Sequence, residues 1–206
     1  RSYAGAVGLW QFMYLTAKEY GLRINSYLDE RKDVYKSTQA ACDYLYKAHN
    51  VFDNWELALA SYNAGRRNVT KAIRRSGGTL NYWQIRPFLP KETRNYIPSF
   101  IAAAYVMNFA QEHGIFPESS PMFNVQKVDS VYLKRSIKIA HLAKLLEIDL
   151  VLLEALNPMY RTKLIPAIPN EQFAIVLPDN KSGVFLFNED SIYSEIKKLE
   201  LKEELD

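Results

Sequence analysis

The chain has 206 residues, of which 48% are hydrophobic and 13% aromatic, enough to bury one substantial core and leave room for a second small module. Its formal net charge of +3 is too small to predict nucleic-acid binding, which usually depends on a clustered basic face. The single cysteine, Cys42, excludes an internal disulfide and thiolate metal sites, and His49, His113 and His141 lack ligand spacing. We therefore predict no metal, no cofactor and no nucleic-acid partner, and we expect Cys42 to be a buried structural thiol.

The first predicted element is an amphipathic helix over residues 9–20, where apolar side chains recur every three or four positions until Gly21 ends the pattern. A small-residue loop with Gly5 and Gly8 precedes it, and Gln11 lies off the apolar stripe. The glycines predict close approach of the backbone to a partner, and the glutamine amide can donate and accept hydrogen bonds at once. A sugar ligand needs such groups, although a glycine-rich turn with a surface glutamine is the alternative.

A charged connector over residues 27–33 follows, in which the acidic and basic side chains are expected to cap and pair locally. Four helices are then predicted, over residues 37–52, 57–62, 68–75 and 92–113. Tyr62 and Asn63 stand at the exit of the second of these helices, which Gly65 ends, so their polar tips can face a cleft. The alternative is that Tyr62 is a half-buried core residue and that Gly65 serves only the left-handed turn.

The composition changes after Gly114, and residues 116–127 are interpreted as a linker. A strand over 128–133, helices over 136–148 and 149–156, and a strand over 173–177 are predicted next. Residues 184–187 are predicted as a further strand and 190–206 as a charged helix or frayed tail. The longest apolar stretch, residues 97–109, is interrupted, so no membrane span is predicted. The predicted domains are therefore 1–115 and 128–178, with a tail at 179–206.

Three ordered motifs carry a family resemblance. They are Ser2-Tyr-Ala-Gly-Ala-Val-Gly-Leu-Trp-Gln11, Ala58-Leu-Ala-Ser-Tyr-Asn-Ala-Gly65 and Leu89-Pro-Lys-Glu-Thr-Arg-Asn-Tyr96-Ile-Pro98. They resemble the second, third and fourth motifs of the lysozyme-like lytic transglycosylases of the SLT superfamily, in the branch related to membrane-bound type D enzymes. The resemblance covers residues 1 to about 115 and implies a mainly α fold: a lysozyme-like helical domain followed by a small α+β module.

The resemblance also assigns roles. Ser2 would hydrogen-bond the catalytic glutamate, and the substrate-binding residues would be Gly8, Gln11, Tyr62, Asn63 and Tyr96. The family's glutamate sits nine positions before the serine, about eight residues ahead of Arg1, so the acid has no counterpart in this sequence. We considered Glu19, Glu30 and Glu92 as replacements and interpret each as a surface or capping carboxylate.

The implied reaction is cleavage of the β-1,4 bond between N-acetylmuramic acid and N-acetylglucosamine in peptidoglycan, which leaves 1,6-anhydromuramoyl ends and consumes no water. One acid suffices for it, whereas most glycoside hydrolases pair two carboxylates. The alternatives are a non-catalytic peptidoglycan-binding or scaffold subunit that lacks the acid, and a goose-type lysozyme that adds water. Peptidoglycan strands are the expected partner, a cell-envelope protein complex is a further candidate, and the substrate implies a periplasmic location, with the outer membrane as the candidate site of association.

The C-terminal segment resembles a LysM repeat over about residues 128–178, a module of strand, helix, helix and strand that binds N-acetylglucosamine chains. Lys134-Arg-Ser136 replaces the usual Gly-Asp-Thr, and Ala167 replaces a glycine near the last strand. Both changes fall in the sugar-binding loops. We therefore predict a degenerate module that serves packing or positioning rather than glycan binding.

Overall fold

The computed structural model describes residues 2–116 and 127–205. These residues form two compact units, with the boundary inside one long helix. Residues 2–37 together with 127–205 form the first, here called the loop-module unit. Residues 38–116 form the second, here called the helical unit. The predicted linker at 116–127 lies almost entirely outside the described residues, and the predicted domain boundaries stay predictions.

The N-terminal helix is much shorter than the sequence pattern predicts. Helix α1 spans Tyr14–Glu19, whereas Val7 and Phe12 pair across an isolated antiparallel bridge. The reason lies in the backbone between them, because Gly8 and Gln11 both have positive φ angles, of 84° and 51°. A right-handed helix cannot continue through such residues. The predicted placement of Gln11 at the start of this helix is therefore wrong.

The helical unit is built from helices of 4 to 19 residues. Their bounds are Val34–Phe52 (α2, which begins in the first unit), Trp55–Ala64 (α3), Arg66–Arg75 (α4), Tyr82–Ile85 (α5) and Lys91–Asn108 (α6), with a 3₁₀ turn at Arg86–Phe88. The Asn54 side chain accepts a hydrogen bond from the Leu57 amide at the start of α3, and Gly65, at φ 83°, ends it. The core comprises Phe52, Leu57, Ala60, Val69, Ala72, Tyr82, Ile85, Leu89 and Ile97. The four predicted helices and the mainly α class are confirmed, but the last helix ends at Asn108 rather than at residue 113.

The C-terminal part of the loop-module unit contains two small antiparallel sheets and two helices. Strand β1 (Val128–Tyr132) pairs with β4 (Ala174–Pro178), and β2 (Ile137–Lys138) pairs with β3 (Leu164–Ile165). Helices α7 (Ile139–Leu145) and α8 (Leu150–Leu156) lie between β2 and β3 in the chain. The predicted order of strand, helix, helix and strand is therefore confirmed, with two extra short strands.

Two further helices follow the closing strand, α9 (Asp179–Phe187) and α10 (Glu189–Glu203). The predicted strand at 184–187 is wrong, because Ser182 and Phe185 are buried while Gly183, Val184, Leu186 and Phe187 are exposed, which is the period of a helix. A four-residue apolar run cannot distinguish the two structures. Phe185, Tyr193 and Ile196 lie in the same core as the strands, so the segment after 178 packs on the module.

The helical pattern also corrects the expectation for Cys42. This residue is exposed, while Ala41, Tyr44 and Ala48 of α2 are buried, so the thiol lies on the opposite face of the helix. Within 2–116 and 127–205, no helix is both long and apolar enough to cross a membrane. The same described residues contain no cluster of histidine, cysteine and carboxylate side chains that could hold a metal ion.

Candidate functional site

The loop from Gly5 to Phe12, called the glycine loop below, is closed by short backbone contacts. The Gln11 backbone amide donates to the Gly8 carbonyl at 3.2 Å, and the Gln11 side-chain Nε2 donates to the same oxygen at 2.7 Å. The Gln11 side chain is exposed. An amide held in this way still presents its oxygen as an acceptor, so the loop offers a fixed polar group to a ligand.

A buried arginine holds both ends of the glycine loop. Arg31 Nη1 donates to the Gly5 and Phe12 carbonyl oxygens, each at 3.3 Å. Its Nε and Nη2 donate to the two oxygens of Asp29 at 2.9 and 2.8 Å. Burial raises the pKa of Asp29, but hydrogen bonding and charge attraction from Arg31 outweigh it and leave the pKa below its ordinary value. The loop is therefore attached to an ionised, buried ion pair.

Gly8 packs closely against the backbone of Arg31. A Cβ placed on Gly8 would lie 1.7 Å from the Arg31 carbonyl oxygen and 2.6 Å from its carbonyl carbon. Only glycine fits this close approach, and only glycine adopts φ 84° at little cost. The structure thus gives Gly8 a packing role, and its predicted contact with substrate stays a prediction.

Ser2 closes the turn ahead of the glycine loop. Its exposed hydroxyl accepts a hydrogen bond from the Ala6 amide at 2.9 Å, and the Ser2 amide donates to the Ala6 carbonyl at 2.9 Å. The predicted bond from this serine to a catalytic glutamate concerns a residue outside the sequence. Among the described residues, Ser2 stabilises the turn that leads into the glycine loop.

Glu30 is not the surface or capping carboxylate that we expected. Its side chain is 3% exposed and forms ion pairs with Arg23 and Lys36, and it also accepts a hydrogen bond from the Arg23 amide at 2.7 Å. Burial raises the pKa of Glu30, but the bonds from Lys36 and Arg23 outweigh it and lower the pKa below its ordinary value. A general acid needs the opposite shift, so this carboxylate is structural.

The C-terminal module contacts the segment that carries this ion pair. The Asp29 amide donates to the Met159 carbonyl at 2.9 Å, and the Arg161 amide donates to the Tyr27 carbonyl at 2.8 Å. These backbone bonds fix the position of Asp29, whose side chain orients Arg31. The glycine loop is therefore connected to the module through Tyr27 and Asp29.

In the helical unit, Asn63 joins α3 to α6. Thr93 Oγ1 donates to Asn63 Oδ1 at 2.8 Å, and Asn63 Nδ2 donates to Glu92 Oε1 at 3.2 Å. Both ends of the amide are therefore oriented by α6. Glu92 lies in the first turn of that helix and is exposed, as predicted for a capping or surface carboxylate, and Glu19 is exposed as well.

Tyr62 and Tyr96 are half-buried phenols of the same unit. Burial, with the neighbouring phenols of Tyr96 and Tyr44, raises the pKa of Tyr62. Burial also raises the pKa of Tyr96. Tyr44 packs edge-on against Tyr62 with ring centroids 5.1 Å apart. Both phenols therefore stay neutral across the physiological range and can donate a hydrogen bond to a sugar hydroxyl.

The predicted site residues thus fall into two groups. Tyr62, Asn63 and Tyr96 lie in the helical unit, and the other three lie in or beside the glycine loop of the loop-module unit. Sequence reasoning missed the orienting roles of Arg31 and Thr93. The two carboxylates directly before Arg31, Asp29 and Glu30, were a visible signal for the first role, but no pattern in the sequence pairs Thr93 with α3.

Comparison with known proteins finds a match for each part of the chain. Residues 1–84 match the Transglycosylase SLT domain, and residues 127–194 match the LysM-like domain of lytic transglycosylase MltD. The chain is 34% identical over 116 residues to membrane-bound lytic murein transglycosylase D of Escherichia coli strain K12, which covers 54% of this chain and 25% of the relative. The counterpart in Escherichia coli O6:H1 matches with the same figures.

These matches confirm the resemblance inferred from the three motifs, and the chain is homologous to the Escherichia coli enzyme. The lysozyme-like assignment of the helical domain and the LysM-like assignment of the small module are likewise confirmed. The chain spans about a quarter of the length of the curated relatives it matches.

Proposed function

We propose that the chain supplies the substrate-binding part of a peptidoglycan lytic transglycosylase. The observation that carries this proposal is the glycine loop, which lies inside the SLT match and is held by a buried arginine at both ends. Fixed polar groups bind a ligand at a lower cost in ordering than mobile ones do. The glycine loop is therefore preorganised for ligand binding.

The side chains of the two groups then have distinct roles toward the glycan strand. Gln11 contributes an exposed amide whose orientation is set by its bond to the Gly8 carbonyl. Asn63, oriented by Thr93 and Glu92, contributes a second contact. The neutral phenols of Tyr62 and Tyr96 are apolar on their faces and polar at their tips, which suits a sugar ring.

We place the proton donor in the glutamate that the family positions nine residues before Ser2, ahead of Arg1. Ser2 would then hydrogen-bond that carboxyl. Two properties of the carboxylates close to the site support this choice. Glu30 is buried and ion-paired with a lowered pKa, and Glu92 already accepts a hydrogen bond from Asn63.

The proposed reaction needs only that one acid. It donates a proton to the oxygen that links N-acetylmuramic acid to N-acetylglucosamine, and the bond from the muramoyl C1 to that oxygen breaks. The muramoyl C6 hydroxyl then forms a bond to C1 and returns its proton to the carboxylate. The product is a 1,6-anhydromuramoyl end together with a free N-acetylglucosamine hydroxyl, and the acid is regenerated.

The LysM-like module has a positioning role in this proposal. The region that replaces the usual Gly-Asp-Thr is occupied by internal contacts, because the Lys134 amide donates to the Tyr193 hydroxyl at 2.9 Å. Ser136 Oγ accepts a bond from the Ala167 amide at 3.1 Å, which joins both altered loops. Helix α10 carries Tyr193, so the C-terminal helix lies against loops that bind sugar in the LysM family.

Peptidoglycan lies outside the cytoplasmic membrane, so we propose a periplasmic location. The relatives are named membrane-bound enzymes, which makes association with the outer membrane and with a cell-envelope protein complex part of the same proposal.

The test is product analysis with the full-length protein. Purified sacculi are digested in water enriched in ¹⁸O, and the released muropeptides are measured by mass spectrometry. The proposal expects ends lighter than the reducing form by one water and without isotope. The matched pair is Asn63→Ala, which should slow release, and Asn95→Ala, an exposed asparagine on α6, which should not.

The other outcomes identify the alternatives. Reducing ends that contain ¹⁸O would indicate a lysozyme-type hydrolase. Binding to sacculi without release of any product, together with a residue other than glutamate nine positions before Ser2, would indicate a non-catalytic binding or scaffold subunit.

A further inference from the structure

A cavity of about 730 Å³ opens beside the glycine loop within the loop-module unit. Gly8, Gln11 and Lys32 line it from the N-terminal segment, and Pro158 and Arg161 line it from the LysM-like module. The module therefore forms part of the wall of a cavity that the glycine loop also lines. A volume of this size holds a sugar ring with a substituent.

The charges around this cavity do not balance. Asp29 is the one carboxylate among the described residues that line it, and both of its oxygens are bonded to Arg31. The pair of Asp29 and Arg31 therefore adds no net charge to the cavity. Lys32 and Arg161 also line the cavity, and both are exposed cations. The cavity therefore has a surplus of two positive charges.

Arg161 is held ready for a ligand. Its Nη1 donates to the Asn25 carbonyl at 3.2 Å, and its backbone amide donates to the Tyr27 carbonyl at 2.8 Å. A guanidinium oriented in this way loses little freedom when it binds, and its planar fork suits the two oxygens of a carboxylate. A lysine would offer a single mobile charge instead.

We propose that this cavity binds a carboxylate of the peptide attached to the muramoyl residue, with Arg161 as the residue that recognises it and Lys32 as a second attractive charge. This inference rests on the proposed function, because a peptidoglycan strand presents its peptide carboxylates next to the sugars that the glycine loop would contact. The LysM-like module then contributes to specificity by distinguishing peptide-bearing strands from bare or neutral glycans.

The test compares two ligands that differ only in charge: a disaccharide-peptide muropeptide with free carboxyl groups, and its derivative with those groups amidated. Each is titrated into the chain by calorimetry. The wild-type chain should bind the free acid about tenfold more tightly, as expected for a charged hydrogen-bonded pair. Arg161→Gln should lower the ratio to about threefold, because it removes the fork while Lys32 remains, and it should leave the affinity for the amidated form unchanged.

Two further variants sharpen the result. Lys32→Gln should reduce the ratio to about threefold by removing the second attractive charge, and it keeps the test valid if the Arg161 variant does not fold. Lys144→Gln removes an exposed charge of α7 that does not line the cavity, and it should leave the ratio at the wild-type value.

The inference is overturned if the wild-type chain binds both ligands equally, if it binds neither, or if the tenfold ratio survives in both cavity variants. None of these outcomes bears on anhydro-end formation, which the sacculus digestion measures separately. A failed proposed function would instead show as reducing ends or no release, whatever the binding ratio.

Discussion

Replacing Gly8 by alanine should destabilise the protein through one collision in the glycine loop. The added Cβ would lie 1.7 Å from the Arg31 carbonyl oxygen, a distance that no van der Waals contact permits. The obstacle is backbone, and the side chain of the same arginine is fixed by Asp29. The strain therefore cannot be relieved by a side-chain rotation, and either the loop or the ion pair must move.

Two energy terms determine the expected loss of stability in Gly8→Ala. A non-glycine residue at φ 84° costs about 1–2 kcal/mol. Overpacking against an ordered partner adds about 1–3 kcal/mol. The expected loss in free energy of unfolding is therefore about 2–5 kcal/mol. Catalytic turnover should fall as well, because displacement of the loop moves Gln11.

Gly5→Ala is the matched control. Gly5 has φ 88° and open space around the added Cβ, so only the conformational term of about 1–2 kcal/mol applies. Urea unfolding of both variants measures the difference directly. Equal losses in the two variants would refute the argument that Gly8 is required by its contact with Arg31.

Four other changes test the remaining parts. Arg31→Met should lower the free energy of unfolding by about 3–5 kcal/mol, because it leaves Asp29 buried without its partner, and the double variant with Asp29→Asn should lose less in the same denaturation assay. The pKa of Glu30 is lowered from its ordinary value of 4.5, so its contribution to the free energy of unfolding is complete above pH 4.5 and disappears as the pH falls through the folded-state pKa. Glu30→Gln should therefore flatten the acid side of a plot of unfolding midpoint against pH. Asn63→Ala should reduce kcat/KM at a stability cost of about 1 kcal/mol, since two hydrogen bonds are lost at a partly exposed site. Gln11→Gly should remove activity yet keep or raise the thermal midpoint, because glycine tolerates φ 51°.

The sequence predicted the helices well because their ends have local causes. Asn54 accepts the Leu57 amide, and Gly65 supplies the left-handed residue that ends α3. Cap and glycine signals of this kind act over four residues and are visible in one sequence. The same holds for the strand pair of the module, whose β-branched runs are short and bounded by polar residues.

The loop at Gly5 and Gly8 was predicted, but its continuation through Gln11 was not, because an apolar pattern of helical period begins at Leu9. Its true shape depends on Gly8 meeting the Arg31 carbonyl, a contact between distant positions. The burial of Glu30 had the same origin, because Arg23 and Lys36 come together around it only in the folded chain. Charged residues in a connector look exposed until their partners are known.

The direct test of the central claim, that the glycine loop is a preformed glycan contact, is an NMR titration of the chain with an N-acetylglucosaminyl-1,6-anhydromuramoyl disaccharide. The backbone amide signals of Gly8 and Gln11 should shift in a saturable way, while the signal of the exposed Gly77 should stay unchanged. Saturable binding that leaves the signals of the loop in place would contradict the account.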